Sequence, residues 1–457
     1  TLINRNNMSI SLNIDNLSLA ERASIVKNLQ FNKKSNPRFK NQRTSPTIHP
    51  YFIDDEANLV YLPFYWGLCN VKLAKRPERN NFSIFGEFPK FSGKLRPLQL
   101  EIKDKIIGYL NKCGTCWLSL YTGGGKTFTS IFIACKIKLK TLIICHRVNL
   151  INMWKSEIEK MCPGAIVQIL NGVNKYDEHA NFYVVNAMNV KKRGQGFYKE
   201  IGFLIVDEVH VMGTERMAEA FQYITPRYCL ALSATPYRSD GLDEILHTYF
   251  SKNKIIYEMY KAHTVFKVET GFVPKYKLNY DGTTDWTSVI QSQSMDQKRN
   301  DLIINLVTFF KDRNFLILSK RIEQIDYIVE KLREVGEDVT SFKGSKQTFN
   351  CESRILVATI SKAGVGFNHP KLDALILASD VEEYFMQYLG RVFRREDVHP
   401  IIFDLVDKFP SLRRHYSTRK GVYEKAGGKI HKFILENVDK VIENLDKDNF
   451  MKVFYGI

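Results

Sequence analysis

Between residues 88 and 425 one pattern repeats: a run of four to six mostly apolar residues, then a longer amphipathic stretch. Cys116–Tyr121, Thr141–Cys145, Phe182–Val185, Phe203–Val206 and Cys229–Leu232 are such runs, rich in Val, Ile and Leu. A strand with almost no polar alternation must be covered on both faces, and parallel strands joined by crossover helices meet that demand. A second series follows at Phe315–Leu318, Ile355–Ala358, Ala374–Ala378 and Pro400–Phe403. Two series predict two α/β lobes, each with its own parallel sheet, rather than one oversized sheet.

The interval 263–274, carrying Gly271 and Pro274, interrupts the alternation and is expected to be a linker between a first lobe at 88–262 and a second at 275–428. Residues 8–87 read as a small α+β accessory domain. An amphipathic helix near Ser18–Leu29 leads into the basic loop Lys33–Lys40 and then a β-like aromatic segment from Tyr51 to Trp66. Residues 429–457, with Phe433, Ile434, Val438, Val441 and Leu445 at helical spacing, are expected to form a helical tail.

The 66 basic residues exceed the 49 acidic ones by 17, which favours a polyanionic partner, nucleic acid first. Up to residue 86 the chain holds 12 basic and 6 acidic residues, so the accessory segment is expected to add a second DNA-gripping surface. The longest apolar run, Val60–Cys69, is short and contains Pro63, so no membrane-spanning helix is expected. Eight cysteines in 457 residues are too sparse for a disulfide framework and suit reduced thiols in a cytoplasm. Cys113 and Cys116 form a CxxC without a second pair, which reads as entry into a buried strand rather than a metal or redox site.

Three segments carry chemistry. Thr122-Gly123-Gly124-Gly125-Lys126-Thr127 follows a strand and opens a helix. Glycines there let backbone N–H groups face phosphate oxygens, the helix N-terminus adds its dipole, and Lys126 reaches the terminal phosphates of ATP while Thr127 holds Mg²⁺. The usual phosphate-loop pattern has glycine where this chain has Leu120. Phe203–His210 is an apolar strand ending in Asp207 and Glu208, placed to orient Mg²⁺ and to polarise the attacking water. Gln387–Arg394 puts Arg391 and Arg394 three residues apart, expected to present cations to the transferring phosphoryl group.

Together these segments resemble the superfamily 2 helicases of the DExH type over most of residues 94–425. Ser233-Ala-Thr-Pro-Tyr-Arg-Ser-Asp-Gly241 is similar to the branch holding XPB, the UvsW branch-migration helicase of T-even phages, and helicases of large DNA viruses. Leu120 also occurs in that branch. The resemblance implies two RecA-like lobes. It assigns Gln99 of Leu95–Gln99 to adenine, Thr122–Thr127 to the phosphates, and Thr127 and Asp207 to Mg²⁺, the latter through water. Glu208 is implied as the activator of water, and Gln387, Arg391 and Arg394 as completing the ATP site. His210 with Ser233-Ala234-Thr235 would couple hydrolysis to movement, and Ala358-Thr359 through Gly366-Phe-Asn368 matches a further helicase element. The implied activity is ATP-driven 3′-to-5′ DNA unwinding or translocation on forked or branched DNA. RNA is the alternative substrate, and a non-catalytic nucleic-acid-binding module is the alternative of another class. A monomer in the cytoplasm, a host's if the source is viral, is expected.

Phosphate contacts are expected where strands end: His146-Arg147 and Asn186 in the first lobe, and Arg321, Lys343, Gly344, Thr359 and Lys362 in the second. Two features depart from relatives. The nine residues Ser345–Ser353 replace a longer helix, and Cys145-His146-Arg147 stands where a proline and a small hydroxyl residue are usual. Trp154 is expected to be core rather than a base-stacking platform.

Overall fold

The computed structural model describes residues 9–32, 47–83, 85, 87–172, 174–193, 196–213, 219–234, 243–346, 348–364, 367, 369–382 and 385–434. The basic loop Lys33–Lys40 lies outside the described residues, as do Thr235, residues 236–241, Gly366, Asn368 and everything beyond 434. The chain divides between Tyr257 and Glu258 into two compact units, except that Tyr121–Gly123 group with the second.

The first unit is built on a seven-stranded, wholly parallel sheet of order β10-β4-β9-β8-β5-β7-β6. Its strands are β4 (Thr115–Leu120), β5 (Thr141–Cys145), β6 (Val167–Leu170), β7 (Phe182–Asn186), β8 (Phe203–Val206), β9 (Tyr228–Ser233) and β10 (Lys254–Tyr257). Every residue of β4, β5, β8 and β9 is buried, as continuous apolarity requires of strands covered on both faces. Cys116 lies inside β4, and all eight cysteines are free thiols. Pro97 at the first turn and Gly114 in the left-handed conformation at the end bound the helix Pro97–Cys113 that leads into β4.

The N-terminal segment forms a three-stranded antiparallel sheet, β1-β3-β2, from β1 (Ser9–Asn13), β2 (Phe52–Asp54) and β3 (Leu59–Pro63). The expected first helix is Leu19–Asn28, opened by a capping box between Ser18 and Glu21. This segment shares the core of the first unit: Ile10 and Phe64 pack in one cluster with Trp117, Leu204 and Tyr249. Tyr249 donates to the carbonyl of Pro50 (3.1 Å), and Arg227 to that of Pro77 (2.6 Å).

The second unit holds another seven-stranded parallel sheet, of order β13-β14-β12-β15-β16-β11-β17. Its strands are β11 (His263–Glu269), β12 (Phe315–Ser319), β13 (Val339–Phe342), β14 (Ile355–Thr359), β15 (Ala374–Leu377), β16 (Ile401–Val406) and β17 (Gly428–Ile434). Two expectations are corrected here. The stretch read as a linker at 263–274 begins with β11, which lies between β16 and β17 with Val265, Phe266 and Val268 buried. His263, Thr264 and Lys267 interrupt its apolarity, and the turn signals Gly271 and Pro274 come only after the strand. The segment read as the start of a helical tail is strand β17 up to Ile434, the edge strand of the sheet, held by parallel pairing with β11 from Gly428 to Ile434.

A buried ion network fixes the helix Pro410–Lys425 to this sheet. Arg419 donates twice to Asp404 (both 2.8 Å) and to Asp380 and the carbonyl of Val381 (both 2.9 Å). Tyr423 adds its hydroxyl to Asp404 at 2.9 Å.

Candidate active site and nucleic-acid interface

In the first unit the sheet order makes β4, β9 and β8 neighbours, with Ser119 opposite Ser233 and Val206 opposite Ala231. The phosphate loop after β4, the acids after β8 and Ser233 at the end of β9 therefore meet along one sheet edge. Loops at the carboxyl ends of parallel strands are where α/β sheets place ligands.

Gly123 and Gly125 adopt φ of 89° and 86°, a left-handed conformation that costs a residue without Cβ little and that suits a loop whose N–H groups turn toward phosphate. Lys126 opens the helix Lys126–Ile137 and folds back to donate to the carbonyl of Leu120 at 3.0 Å. Thr127, half-buried, is the next residue of that helix, while Thr122 and Gly124 complete the loop. Gln99 is buried, its Oε1 accepting from the Arg96 amide at 2.8 Å. A Cβ built on Gly125 would come within 2.1 Å of its Nε2, so Gln99 stands directly against the phosphate loop.

Asp207 is buried and accepts from the indole N–H of Trp154 (2.8 Å) and from the Glu208 amide (3.0 Å). Burial and the adjacent Glu208 carboxylate raise its pKa, against the opposing pull of Trp154 and Lys126. Burial acts on Glu208 in the same sense, but Lys126, His210, His146 and the Ala234 amide outweigh it and hold Glu208 below the usual carboxylate range. The two acids are thus driven apart, with Glu208 the more acidic of the pair. Among the described residues its buried Oε2 has no hydrogen-bond partner and lies 3.3 Å from His210 Nδ1, while that nitrogen shares a 2.8 Å hydrogen bond with Ser233 Oγ. The fit to a nucleotide with its metal is good: a glycine cradle, a lysine, a hydroxyl and two carboxylates of split basicity occupy adjacent strand ends.

Two residues near this site carry more than the sequence suggests. Trp154 is core, as expected, and also the donor that orients Asp207. His146, half-buried rather than a surface phosphate contact, has its pKa lowered to about 4 by burial and by Arg147, so it is neutral beside Glu208 and His210. Arg147 is exposed at the end of β5, next to Asn186 at the end of β7, since Cys145 and Asn186 are paired. The Asn186 side-chain oxygen Oδ1 caps the following turn by accepting from the Met188 amide.

In the second unit Gln387 and Arg391 lie buried in the helix Phe385–Val392, while Arg394 stands beyond its end. Arg391 and Arg394 nevertheless converge, donating to the same carbonyl of Phe367 at 3.0 and 3.1 Å. Burial lowers the pKa of Arg394, and the Arg391 guanidinium also lies 4.8 Å over the Phe367 ring. Strands β13, β14 and β12 are neighbours, with Phe342 opposite Ala358 and Thr359 opposite Ser319. Lys343, Gly344, Thr359, Lys362 and Arg321 thereby follow one sheet edge. Lys343 pairs with Asp326, Lys362 donates to the carbonyl of Lys346 (2.9 Å), and Arg321 to that of Thr287 (3.2 Å).

Residues 92–238 match the family described as type III restriction enzyme, res subunit. The chain is 40% identical over 386 residues, 79% of its length and 87% of the relative's, to “Putative helicase 161L” of Invertebrate iridescent virus 6. It is 28% identical over 364 residues to “Probable helicase D10” of Escherichia phage T5, covering 75% and 78% of the two chains. It is also 26% identical over 433 residues to “Putative ATP-dependent RNA helicase L396” of Acanthamoeba polyphaga mimivirus, covering 89% and 83%. Among solved structures, S. cerevisiae Dbp5 bound to RNA and ADP BeF3 shares the fold, with TM-score 0.52 and 12% identity over 77% of this chain and 97% of that one. The chain belongs to the superfamily 2 helicases of the phage and large-DNA-virus type, with two tandem RecA-like lobes. Membership implies an ATP-using enzyme that works on nucleic acid.

Proposed function

We propose that this helicase is a DNA motor that uses ATP to move 3′ to 5′ and separate strands at forks or branches, acting as a monomer in the cytoplasm of a host cell. The observation that carries the catalytic half is the joining of Lys126, Asp207, Glu208 and Ser233 at the ends of three adjacent strands. In this reading the loop Thr122–Thr127 binds the phosphates of ATP and Gln99 borders the base. Ionised Glu208 takes the proton of the water that attacks the γ-phosphorus, and the bond to the β-phosphate oxygen breaks to release ADP. Mg²⁺, held by Thr127 and through water by Asp207, would neutralise charge on the phosphates. Gln387, Arg391 and Arg394 are proposed to stabilise the charge that develops on the γ-phosphoryl group.

Nucleic acid would lie along the edges marked by Arg147 and Asn186 in one unit and by Arg321, Lys343, Gly344, Thr359 and Lys362 in the other. Cationic and backbone donors hold phosphates without reading bases, so binding is expected to be largely independent of sequence. His210, Ser233, Ala234 and Thr235 are proposed to couple hydrolysis to movement. An RNA substrate is the second reading, favoured by the mimivirus relative named as an RNA helicase.

The test measures ATP turnover and unwinding with forked DNA, linear duplex DNA and RNA forks of matched sequence. Strongest stimulation by forked DNA is expected. Tenfold stronger stimulation by RNA would replace DNA with RNA, and no stimulation by any of them would overturn the motor reading.

A further inference from the structure

Residues 275–285 form a small hairpin on the second unit, outside both sites above. Asn279 donates its amide to the carbonyl of Thr283 (2.8 Å), Asp285 donates to that of Lys277 (2.9 Å), and Gly282 donates back to Asn279 (2.9 Å). Gly282 has φ of 76°, so the connection is a tight turn closed by a left-handed glycine, with Tyr280 and Asp281 at its apex. The Asp281 carboxylate is engaged with the amide of Thr283 at 3.0 Å and its hydroxyl at 2.6 Å, which makes the turn stiff.

Hairpin tips are ordinarily polar. Here Tyr276, Leu278 and Tyr280 alternate with Lys275, Lys277 and Asn279; Leu278 is 63% exposed, and Tyr280 is fully exposed. The stem is firmly held. Lys275 and Lys277 donate their amides to Ser292 (2.9 Å) and Ser288 (2.8 Å) of the helix Trp286–Met295. Tyr276 packs on Phe409, with ring centroids 5.2 Å apart. The same helix accepts, through the Thr287 carbonyl, the bond from Arg321, which stands on the edge proposed to carry phosphates. A rigid aromatic tip, lysines along its stem and a seat beside that cationic edge fit an unpaired nucleic-acid strand: lysines for phosphate, aromatic and apolar surface for bases. The Asp281 carboxylate disfavours phosphate at the apex itself and leaves the base faces as what it can meet.

We propose that the hairpin 275–285 is the strand-separating pin of this helicase, with Tyr280 and Leu278 stacking on the bases where duplex gives way to single strand. This rests on the motor reading. The test uses the full chain with Tyr280→Ala and Leu278→Ala combined, and Tyr280→Phe as the conservative variant. DNA and RNA forks carry 2-aminopurine at the first unpaired position, and a single-stranded oligonucleotide serves for stimulation of ATP turnover. Because both side chains are exposed, their removal should spare the fold.

The double variant is expected to lose at least tenfold in unwinding and the parent protein's effect on 2-aminopurine fluorescence, with ATP turnover within twofold of the parent's. Tyr280→Phe should unwind normally, since stacking needs the ring and not the hydroxyl. Unwinding by the double variant within twofold of the parent's would overturn the pin alone and mark the hairpin as a surface for something else. Absence of nucleic-acid-stimulated ATP turnover in the parent would overturn the motor reading and the pin together.

Discussion

Replacing Gly125 by alanine tests whether Gln99 braces the phosphate loop. The residue sits at φ of 86° and ψ of 33°, a left-handed conformation that costs a non-glycine residue roughly 1–2 kcal/mol. The new Cβ would also fall 2.1 Å from Gln99 Nε2. That side chain is buried, and its 2.8 Å capping bond from the Arg96 amide must break for it to withdraw, adding about 1 kcal/mol. The variant should therefore lose about 2–3 kcal/mol of stability, together with most of its nucleotide affinity. In a Gln99→Ala background only the backbone strain remains, so the same substitution should cost about 1–2 kcal/mol. Thermal unfolding of the four proteins of this cycle, with nucleotide titration of each, measures the difference. Equal costs in the two backgrounds would show that Gln99 does not press on the loop and would remove the structural basis for its place at the site.

Lys126→Ala is expected to abolish ATP turnover while retaining much nucleic-acid binding, checked by phosphate release and by anisotropy of a labelled strand. Glu208→Gln, which keeps shape but loses the base, should lower turnover by roughly 10²–10⁴ with nucleotide binding preserved; single-turnover measurement separates the two. Arg419→Ala strands the buried carboxylates of Asp404 and Asp380 and should cost about 3–5 kcal/mol, seen as a fall of roughly 6–20 °C in unfolding of the second unit. Asp326→Asn releases Lys343 from its surface pair and removes a nearby negative charge. It should tighten nucleic-acid binding a few-fold at low salt, consistent with about 0–1 kcal/mol for such a pair, and the gain should vanish at high salt.

The parallel sheets were legible because strands buried on both faces leave a continuous apolar trace. The adjacency of the glycine-rich loop and the acid pair was legible because the chemistry proposed for them restricts residue type within a short window, and both follow strands that the apolar trace marks. What escaped was decided over long range. Strand β11 carries His263, Thr264 and Lys267 and becomes a strand only because β16 and β17 flank it, 130 to 170 residues later in the chain. The N-terminal residues read as a separate domain from their change of texture, yet Ile10 and Phe64 complete the core over Trp117, a contact that no local pattern encodes. Deleting residues 8–87 would therefore uncover that core, so any part they play in holding DNA calls for point substitutions. The three-residue spacing of Arg391 and Arg394 suggests a single helical face. They do converge, but through the shared carbonyl of Phe367, because the helix stops at Val392.

Trp154 was the subtlest case, since core packing and hydrogen bonding are compatible roles for one indole. The helix Val148–Met161 begins immediately after Arg147, the residue proposed to touch phosphate at the end of β5. Seven residues on, about 10 Å along the axis, Trp154 leaves the same helix to hold Asp207 at the end of β8. Strands β5 and β8 are neighbours, so the helix spans the boundary between the proposed nucleic-acid edge and the nucleotide edge of one sheet. If a bound strand shifts this helix by even an ångström, Asp207 either follows or loses a buried donor. An unmet carboxylate in that setting costs more than an ordinary hydrogen bond returns. On the proposed roles, one helix would thus give nucleic acid a physical means of moving Asp207, the acid proposed to orient the metal, without a contact between the two ligands.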